Sequence, residues 1–231
     1  MCGKFTAMAS WRKVWDFSQP LTAGGNVATA EEIVTYRPMA ALPVIIFDRE
    51  AGQRRVVPMR WGFPHRKNPM RPDPIHARSE TIDEKGAFRD AFLDGQRGIV
   101  VMRTFNEGEE VGSQTVQWTV DPGDGIPRGF AFLWRRFELP GLPVPLFACV
   151  MVTVPASRLI SPITDRMPAI LEDSDWSTWL GETSSSPDAI KSVLKTMQGV
   201  NWKMEREPKK QKGTPPANPS EPKLTPSSNL I

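Results

Sequence analysis

The chain has 231 residues, 39% hydrophobic and 24% charged, the make-up of a soluble globular protein with one domain of ordinary size or two small ones and a sizeable core. No apolar run approaches the roughly 20 residues of a membrane helix, and the N-terminus lacks a signal peptide's basic-then-apolar pattern, so the sequence predicts a cytoplasmic protein with no membrane partner. The net charge of +3 comes from the region beginning at Lys203, where six basic residues face three acidic ones, so only a local patch argues for nucleic acid.

In chain order, TAEEIVTY (29–36) predicts a helix, with a Thr cap and early glutamates. PVIIF (43–47) and RRVVPMRW (54–61) predict strands. DEKGAFRDAFLDG (83–95) puts Phe88, Ala91 and Phe92 on one helical stripe that ends at Gly95. Strands follow at GIVVM (98–102), TVQWTV (115–120), GFAFLWRRFEL (129–139) and LFACVMVTV (146–154). TVQWTV alternates Val116, Trp118 and Val120 with polar residues, the pattern of a half-buried strand, whereas LFACVMVTV is apolar on both faces and predicts a central one. DSDWSTWLG (173–181) and SPDAIKSVLKTM (186–197) close the body as helices. This irregular order predicts an α+β fold with a curled, mostly antiparallel sheet. The fold occupies residues 1–205, and 206–231 form a disordered tail rich in Pro, Lys and Ser.

Cys2 and Cys149 stand far apart, and a reducing compartment argues against a disulfide. Cys149, inside a predicted central strand, reads as a small buried hydrophobe. Cys2 is either merely small or, after loss of Met1, a nucleophile with a free α-amine. His65 and His76 are the only histidines, too few for a metal cluster, and no cofactor is called for. Between Arg54 and Arg71 six basic residues occur with no acid, and Trp61 and Phe63 lie among them. That mixture suits either single-strand nucleic-acid binding or a solvated loop around a packed Trp.

Five stretches, MCGKF, MRWGF (59–63), IHARSET (75–81), RGIVVMRTFNEG (97–108) and TDRMPAIL (164–171), resemble, in this order, motifs of the SRAP (SOS response-associated peptidase) family. The resemblance spans about residues 1–200 and implies binding of single-stranded DNA and a covalent crosslink to abasic sites. It assigns Cys2 as the nucleophile. The α-amine, of pKa about 7.7–8.0, attacks the sugar aldehyde, and the thiol then closes a thiazolidine. By the same resemblance Glu107 is an active-site carboxylate, although its place in NEGEE also suits an exposed turn acid. Arg78 and Lys4 contact DNA, with Lys4 standing where the family has Arg. Trp61 flanks the DNA path or packs, Thr153 and Pro38 lie near the pocket wall, and Glu80 supports its motif through an internal ion pair or hydrogen bond. Arg166 and Asp165 read as structural, paired with each other or with backbone.

Three departures stand out. His76 replaces the family's Asn, Thr164 replaces its His, and Gly108 replaces a Trp. Either His76 takes over acid/base work from the lost histidine, or the chain is a drifted member that binds DNA or another ligand and crosslinks poorly or not at all. The N-terminal cysteine also fits a peptidase, and the basic stretch fits an interaction module with no chemistry. The partner expected is single-stranded DNA with abasic sites, and the chain is expected to be a monomer.

Overall fold

The computed structural model describes residues 3–8 and 33–208. Cys2, residues 29–32 of the predicted first helix and most of the predicted tail therefore lie outside the described residues.

A barrel forms the centre. Strands β3 (Ala41–Asp48), β4 (Gln53–Trp61), β6 (Arg97–Met102), β9 (Arg128–Phe137) and β10 (Leu146–Pro155) make a closed ring, in which β3 joins β4 to β6, β9 joins β6 to β10, and β10 returns to β4. Closure leaves these strands without free edges. All the contacts in the ring are antiparallel except β10 with β4. The α+β class with a curled, mostly antiparallel sheet holds. Strand β10 carries the most pairings, meeting β4, β9, β5 (His76–Arg78) and β11 (Arg166–Pro168). That is why its residues Ala148 to Val154 are buried without a polar face. Strand β12 (Ile170–Leu171) extends the sheet beyond β9.

A second sheet packs beside the barrel in the order β13 (Lys203–Arg206), β8 (Gln114–Asp121), β7 (Thr104–Val111), β1 (Lys4–Met8) and β2 (Ile33–Tyr36). Its apolar residues join those of the barrel: Phe105 on β7 meets Phe130 of β9 at 6.2 Å and Trp202 at 5.8 Å. Such aromatic contacts add to the burial of each ring.

The helices are shorter than their stripes predict. Residues 33–36 of the expected first helix are strand β2, recruited by antiparallel pairing with β1. The 83–95 segment becomes turns followed by helix α1 (Arg89–Leu93), because Gly86 in the middle of the stripe costs about 1 kcal/mol against helix. Helix α2 (Trp176–Leu180) follows a 3-10 turn at Asp173–Asp175. Helix α3 (Pro187–Ser192) starts with Pro187 and a Ser186 side chain that accepts a hydrogen bond from the Ala189 N–H at 3.2 Å. Val193, Leu194 and Met197 lie beyond α3 yet remain buried, so the hydrophobic stripe marks the core correctly and the helix length wrongly.

Candidate functional site

Strand β1 is the centre of the candidate site because the first residues of the chain enter the fold through it. It lies between β2 and β7, with Lys4 opposite Asn106, Phe5 opposite Phe105 and Thr6 opposite Thr104. Side chains alternate across a strand, so Phe5 and Phe105 turn into the core, both 0% exposed. Glu107 is two residues beyond Phe105 and shares that inward face. It sits in the middle of β7, opposite Trp118, and is 1% exposed. The alternative reading of Glu107 as an exposed turn acid is thus excluded. The stretch TFNEGEEV has weak strand propensity, yet pairing with β1 and β8 on either side holds it extended.

His76 reaches the same strand through a row of rings. Tyr36 lies 5.4 Å from Phe5, Phe5 lies 4.9 Å from Trp61, and Trp61 lies edge-on to His76 at 6.4 Å. Trp61 is fully buried, and its Nε1–H donates to the Ile75 carbonyl at 3.1 Å. It is packed, therefore, and holds β5 against β4 and β1 instead of offering a face to DNA. Gly62, next in the motif, has φ +104°, and a Cβ there would stand 2.4 Å from the Pro72 Cβ. The Gly62 N–H donates to the Cys149 carbonyl at 2.7 Å. In MRWGF, then, the Trp and Gly are structural.

Arg78 is exposed at the end of β5, in register with Thr153 of β10. Thr153 itself is 4% exposed, and its hydroxyl lies 3.4 Å from the Ala77 carbonyl, so it belongs to the interior behind Arg78. Arg166, 6% exposed, grips Glu80 through Nη1–Oε1 at 2.5 Å and Nη2–Oε2 at 2.9 Å, and donates to the Thr153 carbonyl at 2.6 Å. This bidentate pair ties the A-R-x-E and D-R-M-P motifs together. Arg166 is structural as expected, but its acidic partner is Glu80 and not Asp165, which is exposed. The Arg166 hydrogen bonds hold the Glu80 carboxyl below its usual range, against a smaller opposing effect of burial. Lys191 fastens the same turn by donating to Asp83 at 2.5 Å and to the Glu80 carbonyl at 3.0 Å.

Thr164 is buried, and its Oγ1 accepts the Arg166 N–H at 3.4 Å. Pro38 is half-buried in the turn between β2 and β3. The Lys4 ammonium donates to Glu207 at 2.5 Å, and the same carboxylate oxygen accepts from Asn106 Nδ2 at 2.7 Å and Thr119 at 3.2 Å. Lys4 is thus engaged by the segment that follows β13. Sequence reasoning missed Asn106, Thr119 and Glu207, and the only signal was a carboxylate in a region read as tail.

The basic stretch divides in two. Arg54 pairs with Glu182, Arg55 with Asp48, and Arg60 donates to the Gly62 and Pro69 carbonyls. Arg66, Lys67 and Arg71, on the loop closed by Pro64 and Pro72, are exposed like Arg78. None of these four forms an ion pair among the described residues. Cys149 is buried, and burial raises its thiol pKa above the ordinary range. The described residues hold no metal-ligating cluster and no helix long and apolar enough to cross a membrane.

A family model, SOS response associated peptidase (SRAP), matches residues 1–209. The chain belongs to the SRAP family. The Bacillus subtilis (strain 168) abasic site processing proteins YoqW and YobE are 29% and 30% identical to it, covering 84% of this chain and 86% and 88% of theirs. Abasic site processing protein HMCES of Xenopus tropicalis is 27% identical over 63% of this chain and 51% of its own. A solved protein of Bordetella bronchiseptica shares the fold with a TM-score of 0.69 at 20% identity, covering 90% of this chain and 100% of that one. Another, from Bacteroides thetaiotaomicron, gives 0.65 at 20% identity over 76% and 78%.

Proposed function

We propose that this protein processes abasic sites in DNA, and that it does so by a covalent link from Cys2, freed of Met1, to the open sugar of a single strand. The observation that carries the reading is the register of β1 on β7: Lys4 faces Asn106, the neighbour of buried Glu107. Cys2 is two residues from Lys4, a chain reach of about 7 Å. Membership in the family and the names of its relatives support the substrate.

The chemistry balances with no added reagent. The neutral α-amine attacks the aldehyde carbon, and the carbonyl oxygen leaves as water to give an imine. The thiol sulfur then bonds to the imine carbon, and its proton ends on nitrogen, which closes the thiazolidine. A carboxylate at Glu107 accepts a proton from the ammonium to free the amine and returns one to the departing oxygen. His76 offers one donor and one acceptor near neutral pH. It takes the acid/base part that Thr164 cannot. The exposed Arg66, Lys67, Arg71 and Arg78 supply phosphate contacts. The chain acts in the cytoplasm, on the nucleoid, as a monomer.

The test uses reductive trapping on single-stranded DNA with one abasic site. Wild type gives a denaturation-resistant adduct without reductant. Cys2→Ala keeps an α-amine and gives an adduct only when borohydride traps the imine. A stable adduct from Cys2→Ala without reductant would remove the thiol from the reaction.

A further inference from the structure

We propose a second anion site, specific for a phosphate group, at the end of the barrel where β6 begins, built on Arg49 and Arg97. A cavity of about 310 Å³ opens there between α1 and the segment linking α2 to α3, with Thr183, Ser184 and Ser185 at its rim. No carboxylate lines it among the described residues.

Arg97 is 3% exposed, and none of its hydrogen bonds goes to an acid. Its Nε donates to the Trp179 carbonyl and its Nη1 to the Phe92 carbonyl, each at 2.5 Å. Those are carbonyls from the last turns of α2 and α1, which otherwise lack donors. The guanidinium also lies over the Phe92 and Trp179 rings, at 5.8 and 5.9 Å. Two arms are therefore used for structure. The third, Nη2, reaches Gly181, where it stands 3.0 Å from the place a Cβ would occupy, and Arg49 Nη2 stands 3.6 Å from that same place. Gly181 has φ +80° and ends α2, so the absent side chain leaves room for two guanidinium tips to converge.

Two like charges side by side, one of them buried, repel in a medium that screens poorly. Burial first, and then the charge of Arg49, lower Arg97 to about 10. An oxyanion between the tips removes the repulsion and accepts from both guanidiniums, with the rim hydroxyls as further donors. A tetrahedral phosphate matches this set of donors. The cavity is distinct from the candidate crosslinking site: Arg97 starts β6, whereas Met102, at its other end, leads into β7 and Glu107. Six residues of strand separate the two ends by about 17 Å.

Two sources would present this group, a free phosphate or monoester and the backbone of bound DNA. The test is a titration of the full-length, ¹⁵N-labelled protein with sodium phosphate, against sodium chloride at equal ionic strength. The amides of Gly181, Ser184 and Ser185 and the Arg97 Nε–H should shift saturably with phosphate alone. Arg49→Gln, an exposed change that leaves Arg97's structural bonds in place, should weaken that response about tenfold with the rest of the spectrum retained. Undamaged single-stranded DNA without a terminal phosphate assigns the source: saturable shifts at the same resonances mean backbone phosphate, and silence there means a free phosphate or monoester. Shifts that do not saturate, that chloride reproduces, or that Arg49→Gln leaves at wild-type strength would overturn the site.

Discussion

Arg166 and Glu80 form a two-pronged pair across 86 residues of chain, at 2.5 and 2.9 Å, with Arg166 almost fully buried and Glu80's side chain 46% exposed. The pair fixes the turn that follows Arg78, the exposed arginine of the candidate site. Glu80→Gln should therefore lower stability by about 1–2 kcal/mol, a figure held down by Glu80's exposure. The pH dependence has a definite sign. Glu80's folded pKa is depressed, chiefly by Arg166, so the pair stabilises fully above the unfolded carboxylate value of about 4.3 and loses its effect as pH falls through the lower folded value. Denaturant melts at pH 7 should separate Glu80→Gln from wild type, and the gap should close in acid.

Glu207 fastens β13 and the start of β1 to each other through Lys4, Asn106 and Thr119. Glu207→Ala should cost about 1–2 kcal/mol, because Asn106 is left buried with a lost acceptor. Hydrogen exchange should rise at β1 and β13 more than in the barrel.

Gly62→Ala places a Cβ against Pro72 at a backbone angle that L side chains rarely adopt. A loss of about 2 kcal/mol or more is expected in thermal or denaturant unfolding. Trp61→Phe should likewise lower stability, while leaving the affinity for undamaged single-stranded DNA within about twofold of wild type, since a buried ring offers DNA no stacking face.

Cys149 should resist alkylation in the folded protein, because its thiol is buried and its pKa raised by that burial. Iodoacetamide at pH 8 followed by peptide mapping should label Cys2 alone, and Cys149 only after denaturation.

The barrel strands are readable from the sequence because Val, Ile and Phe runs such as PVIIF and LFACVMVTV suit buried extended chain wherever they pair. Strand β7 is not, since Asn106, Glu107, Gly108, Glu109 and Glu110 oppose strand formation locally and only β1 and β8 impose it. Trp61 shows a second limit. A tryptophan among arginines has the same local signature whether it stacks on a base or fills a core, and only the positions of Phe5 and Ile75 decide. The Glu80–Arg166 pair is foreseeable in kind, as an ion pair within a motif, but its partner lies in another motif. Lys4 and Glu207, 203 residues apart, carry no joint signal at all.

Crosslinking through Cys2 is tested most simply by the intact mass of the protein after incubation with single-stranded DNA bearing one abasic site. The aminothiol chemistry predicts a species equal to the chain without Met1 plus the oligonucleotide less one water, stable to denaturation and absent for Cys2→Ala without reductant. Folded protein that has lost Met1 and still shows only free chain and free DNA would contradict it.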